Sequence, residues 1–246
     1  MFVCLLFAAS ISTGVALAAW EHDGTVLQPC VILLHGLVRS SSSMEKMEKA
    51  LSDSGYLVRN TAYPSTEKPV DELASAVIPA AVESCNEEGD RSIHFVTHSL
   101  GGMLIRYYLE TNVIDNLGRV VMLSPPNQGS EVVDNLSGVP GFRALNGPAG
   151  MQLGTDQDDV PAQLGPATFD VGIITGNQSI NLFLSMMIPG EDDGKVSVER
   201  AKLEGMADFL VVPHAHPFIM KSDLVIDQVL YFLEYGRFEV DESGAD

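Results

Sequence analysis

The chain has 246 residues, with 14 Lys+Arg against 33 Asp+Glu, a net charge of −19. Hydrophobic residues make up 46% and charged residues 19%, the balance of a globular chain rather than a disordered one. Such acidity argues against nucleic acid or an anionic membrane surface as the main partner, and the length suits one α/β domain.

Met1–Ala19 carries no charged side chain, and Ala16-Leu17-Ala18 is an A-x-A cleavage pattern. Residues 1–19 therefore read as a secretory signal peptide, residues 20–246 as a single mature domain, and the location as secreted or periplasmic. A basic n-region is missing, because the first Lys or Arg is Arg39. The alternative is an uncleaved N-terminal membrane anchor. No further apolar run approaches about 18 residues, which excludes a polytopic membrane protein. Of three cysteines, Cys4 would leave with the leader. Cys30 and Cys85 remain, either as one disulfide or as two buried thiols. No C-x-x-C or Cys/His cluster has zinc spacing.

Val31–His35 is a short apolar run closed by Gly36 and reads as a buried strand. Ser42–Ser54 places Met44, Met47, Ala50 and Leu51 at helical spacing, with Gly55 as the stop. Tyr56–Asn60 is a second strand. Val70–Cys85 is a helix with Leu73, Ala74, Val77, Ile78, Ala81 and Val82 on one face and Pro79 inside it, where a kink is expected. Ser92–Thr97 is a third strand, Gly102–Glu110 a helix and Arg119–Leu123 a fourth strand. Residues 138–168, rich in Gly and Pro, read as loops with at most one short helix. Val171–Thr175 and Phe209–Val212 are the fifth and sixth strands, Asp223–Phe232 is a closing helix, and Glu239–Asp246 reads as a frayed polar tail. Short apolar strands alternating with helices mark a mostly parallel sheet covered on both faces.

Between the third strand and the following helix stands Thr97-His98-Ser99-Leu100-Gly101-Gly102. This matches the nucleophile elbow, x-x-S-x-G, in the strand–turn–helix context the motif requires. Positions two before and two after the serine come close together and should be small. Gly101 satisfies this, whereas Thr97 stands where glycine is usual and must point into the packing behind the turn. The bland alternative is Ser99 as a plain helix N-cap.

With Leu33-Leu34-His35-Gly36-Leu37 at the end of the first strand, the chain resembles the α/β-hydrolase superfamily, and within it small bacterial lipase/esterase-like proteins. The resemblance spans Cys30 to Phe238, over about six strands whose mostly short connections leave only a minimal cap, and implies an α/β-hydrolase fold. It implies an oxyanion hole from the backbone amides of Leu37 and Leu100, and the chain order Ser, acid, His. The acid then falls after residue 175 and the histidine after residue 212. In Glu191-Asp192-Asp193-Gly194, family likeness favours Asp193, in a D-G-x-V-S pattern, over Asp192. An acidic surface turn is the structural alternative for this run. Of His214 and His216, likeness favours His216, in His216-Pro217-Phe218. His35 reads as an orienting or packing residue, His94 as a strand residue and His98 as packing beside the nucleophile.

The implied activity is cleavage of carboxylic esters through a serine acyl-enzyme, on a small-molecule or lipid ester, with no metal and no organic cofactor. Transient contact with a lipid interface would go with it. Rivals are an acyltransferase or thioesterase with the same triad, and an inactive hydrolase-fold binding protein. Ser130 reads as the cap of the next helix. Ile180–Ile188 is apolar and reads as an acyl-pocket lining, a small lid or simple core.

Overall fold

The computed structural model describes residues 20–22, 25–87 and 89–239. The leader expected over residues 1–19 lies outside them, as does all but Glu239 of the polar tail. Two short strands, β1 (Trp20–His22) and β2 (Thr25–Leu27), form an antiparallel hairpin apart from the main sheet. The main sheet holds β3 (Cys30–Leu34), β4 (Leu57–Thr61), β5 (Ile93–His98), β6 (Leu117–Leu123), β7 (Val171–Gly176) and β8 (Asp208–Val212). Its order is β4-β3-β5-β6-β7-β8, and every neighbouring pair is parallel. This is the six-strand α/β-hydrolase architecture read from the sequence.

The helices are α1 (Glu45–Asp53), α2 (Val70–Asn86), α3 (Leu100–Thr111), α4 (Glu131–Leu136), α5 (Phe142–Met151), α6 (Val160–Gln163), α7 (Leu182–Ser185), α8 (Val198–Ala201) and α9 (Asp223–Tyr235). Among the described residues, no helix is long and apolar enough to cross a membrane. The strands read as continuous apolar runs because both sheet faces are covered. Cys30, Ile32 and Leu34 of β3 pack with Leu73, Ile78 and Leu104 of α2 and α3 on one side. Their alternates Val31 and Leu33 pack with Met47 and Leu51 of α1 and Val229 and Phe232 of α9 on the other. A period of two thus divides one strand between two cores.

The structure departs from the sequence expectations in four places. Residues 138–168 hold both α5 and α6, not one helix. The helix α5 is interrupted at Gly147, with φ 65°, just before Pro148, so neither half is long enough to show a helical period. Ser130 makes no side-chain cap to α4; its hydroxyl donates instead to the Lys195 carbonyl at 2.6 Å. The expected start of the α1 region is a 3₁₀ turn, Ser41–Met44. The second strand begins one residue later than expected.

The chain passes from β3 outward to β4 and then returns across β3 to β5. Connections therefore leave in opposite directions at the carboxyl ends of β3 and β5. That reversal opens a crevice, the usual ligand position of an open α/β sheet. The segments carrying Leu37 and Ser99 both leave from it.

Cys30 and Cys85 form a disulfide with Cα atoms 5.9 Å apart, tying the start of β3 to the end of α2 across 55 residues. Closing a loop of that length restricts the unfolded chain by about 4 kcal/mol in the chain-entropy model. Reduction, or paired Cys30→Ala and Cys85→Ala substitution, should lower the unfolding free energy by roughly that amount in a denaturant titration.

His94 is buried, and its Nδ1 accepts from the Arg119 amide at 2.8 Å. Burial first, then the Arg119 charge, lowers its pKa from 6.5 to about 4. The folded chain holds this ring neutral while the unfolded chain protonates it below 6.5. Its contribution to stability is therefore complete above 6.5 and is lost as pH falls toward about 4. Thermal melts across that window should show a smaller acid-induced drop in Tm for His94→Asn than for the wild type.

Candidate active site

The strand β5 ends at His98 and α3 begins at Leu100, so the reversal is made at one residue, Ser99. Its backbone takes φ 52° and ψ −116°, a region that costs a side-chain-bearing residue about 1–3 kcal/mol. The surroundings hold it there. Ser99 N–H donates to the Leu123 carbonyl at 2.9 Å, and Gly102 N–H donates to the Ser99 carbonyl at 3.0 Å. A Cβ at Gly101 would lie 2.7 Å from the Leu34 carbonyl oxygen, so only glycine fits between the helix start and β3. Thr97 is fully buried with Oγ1 3.5 Å from the Val121 carbonyl, so its bulk goes into the packing behind the turn. Ser99 is a helix N-cap by position, yet its side chain makes no cap hydrogen bond. Its Oγ has no hydrogen-bond partner among the described residues.

Asp193 follows β7 and His216 follows β8. The Asp193 carboxylate is fully buried. Its Oδ1 accepts from the amides of Lys195 at 3.0 Å and Val196 at 2.9 Å. Its Oδ2 accepts from His216 Nδ1 at 2.8 Å. The backbones are joined as well, His216 N–H donating to the Asp193 carbonyl at 2.9 Å. With Nδ1–H committed to Asp193, Nε2 carries the free lone pair of the neutral ring.

The two near-equivalent residues are turned elsewhere. Asp192 accepts from the Gly194 amide at 2.7 Å and, in a short contact, from the Ser185 hydroxyl. His214 Nε2 is 2.7 Å from the hydroxyl of Ser222, the residue that caps α9.

The Leu37 and Leu100 amides, the expected oxyanion donors, donate to no acceptor among the described residues. Leu100 is the first residue of α3, so its free N–H also carries the positive end of the helix dipole. His35 is not placed as a base. Its ring stacks on Tyr63 at 4.1 Å, its Nδ1–H donates to the Gly36 carbonyl at 2.9 Å, and the Tyr63 hydroxyl donates to its backbone carbonyl.

His98 does more than pack. Its Nε2–H donates to the His216 carbonyl at 3.0 Å and the two rings lie 4.8 Å apart. Burial, then the charge of His216, holds its pKa well below the ordinary range, so the ring is neutral. A side chain at Gly36 would come within 2.6 Å of its Nδ1. The sequence marks His98 as the nucleophile's neighbour but carries no sign of its reach to the 216 loop.

Ser99, Asp193, His216 and Leu37 line a single cavity of about 380 Å³. Much of its lining is apolar, with Val132, Phe142, Leu145, Leu153 and Leu184 among others. Phe142 and Leu145 come from α5, the helix that sequence reading missed. Ile180 and Leu184 reach the cavity from the apolar segment around α7, while Leu182, Phe183 and Met186 of that segment are 77%, 60% and 79% exposed. The core reading therefore fails for these three exposed residues and holds for Ile188, which is buried.

Residues 28–140 match a family model described as "Putative serine esterase (DUF676)". Among solved structures, the chain is similar to the mature lipase BlEst2 of Bacillus licheniformis, with 21% identity, TM-score 0.68, and coverage of 84% of this chain and 92% of that one. It is also similar to the phospholipase PlaB of Legionella pneumophila, with 18% identity, TM-score 0.61, and coverage of 85% of this chain but only 59% of PlaB. A metagenomic carboxyl esterase, MGS0156, matches with 17% identity, TM-score 0.61, and coverage of 89% and 78%. Among curated proteins none matches this sequence. The chain is an α/β-hydrolase-fold protein, similar in architecture to bacterial lipases and esterases.

Proposed function

We propose that this chain is a serine hydrolase that cleaves carboxylic esters through an acyl-enzyme. The observation that carries the reading is the buried Asp193–His216 bond of 2.8 Å, opening on the same cavity as a serine held at φ 52°. Ser99 is the nucleophile. Its Oγ gives a proton to His216 Nε2 as it bonds to the ester carbonyl carbon. The carbonyl oxygen, now negative, is met by the amides of Leu37 and Leu100. Collapse of the tetrahedral intermediate breaks the bond to the alcohol, whose oxygen takes the proton from His216. Water, deprotonated by the same ring, then releases the acid and restores Ser99. Asp193 fixes the tautomer and stabilises the imidazolium throughout. The Ser99–His216 hydrogen bond forms when substrate is seated, as catalytic bonds often tighten only in the complex. No step calls for a metal or an organic cofactor.

Transfer of the acyl group to an alcohol or thiol instead of water uses the same residues. Product analysis with added alcohol separates the two.

Ser99→Ala should remove hydrolysis of an aryl ester by about 10⁶-fold in kcat, and Asp193→Asn by about 10⁴-fold, with unchanged circular dichroism. A fluorophosphonate probe should label Ser99 in the wild type, found by peptide mapping. Near-full activity of Ser99→Ala, or labelling elsewhere, would overturn the mechanism.

The chain is proposed to be exported, with residues 1–19 as the cleaved leader. The Cys30–Cys85 disulfide supports an oxidising compartment. Sequencing of the mature N-terminus should begin near Ala19 or Trp20; an intact Met1 on membrane-bound protein would favour the anchor instead.

A further inference from the structure

The cavity lining includes two cations, Arg39 and Lys195, and one carboxylate, Asp193. That carboxylate is fully engaged by His216 and two turn amides. Neither the Arg39 guanidinium nor the Lys195 ammonium has a hydrogen bond or an ion pair among the described residues. Both residues are exposed and line the cavity, so their charges are open to an incoming ligand. Elsewhere Lys46, Lys49, Lys68, Arg119, Arg200 and Lys202 all hold acidic partners.

The acids next to lining residues in the chain are already engaged. Asp192 is tied to Ser185 and Gly194, Glu131 is paired with Arg200, and Glu191 accepts from Asn177 at 3.4 Å. The uncommitted charge facing the cavity is therefore positive, although the molecule is strongly negative. Arg39 stands two residues beyond Leu37 and Lys195 two beyond Asp193, so both cations flank the polar end where Ser99 lies. The apolar lining residues suit an acyl chain. Burial lowers the Lys195 pKa, Asp193 pulls it upward and Arg39 pushes it down. A bound anion would relieve that repulsion between cations.

Resting on the ester-hydrolase reading, we propose that the preferred substrate is an acyl ester whose alcohol portion carries a phosphate group, received between Arg39 and Lys195. A guanidinium offers paired donors to phosphate oxygens, and an ammonium adds a point charge. A neutral ester would leave both cations without an anion.

The test is a charge series at one chain length, below the micelle threshold: octanoyl glycerol phosphate, octanoyl glycerol and octanoylcholine. The expected order of kcat/KM is anionic, then neutral, then cationic. The anionic-to-neutral ratio should fall about tenfold in Arg39→Gln, the loss of one charge-assisted hydrogen bond. It should fall again when Lys195→Gln is added, and shrink as salt is raised in the wild type. Equal kcat/KM across the series, or an unchanged ratio in Arg39→Gln, overturns this inference and leaves the hydrolase reading standing. Cleavage of none of the three, with no probe labelling of Ser99, sinks the hydrolase reading and this inference with it.

Discussion

The buried contact between Asp193 and His216 is the constraint on which the rest of the site depends. A carboxylate with no solvent exposure is expensive unless every lone pair is used. Here two turn amides take one oxygen and an imidazole takes the other. The D-G-x-V-S segment is thus a cradle for a charge, and the residue it holds fixes which ring nitrogen of His216 is left free. The 216 loop is pinned from two sides, by its own amide on the Asp193 carbonyl and by its carbonyl on His98.

The second constraint is steric. Ser99 is held in a backbone region that serine avoids, and the strain persists because three elements meet around it. Gly101 lets α3 start against β3, Thr97 turns into the packing behind, and the Leu123 carbonyl captures the Ser99 amide. The same geometry leaves the Leu100 amide free at the first turn of α3. Placement of the serine at the cavity and freedom of the neighbouring amide are thus two results of one turn.

Around this polar end the cavity is finished by short, irregular pieces between β6 and β8. The helix α5 supplies Phe142 and Leu145 to the wall, and the segment around α7 supplies Ile180 and Leu184. These pieces add little to the two sheet cores. They set the shape and charge of the opening, which leaves the scaffold free to keep one turn geometry while the mouth varies.

Much of this was legible in the sequence because it is local. Apolar runs of five or six residues, a glycine stop and a strand–serine–helix junction each depend on neighbours in the chain. They fix the sheet, its helices and the elbow. What sequence reading missed was equally physical: α5 is broken at Gly147-Pro148 and shows no period, and the Ser130 hydroxyl is drawn away from its helix by the distant Lys195 carbonyl. Asp192 and Asp193, like His214 and His216, are nearly equivalent as sequence. Only folding decided which carboxylate meets which imidazole, because that depends on the register of β7 against β8 and on turn amides that are absent from an unfolded chain. The sequence by itself therefore determined the scaffold and the turn that carries Ser99. The tertiary structure decided the partners, the cavity wall and the two uncommitted cations, since each is a contact between segments far apart along the chain.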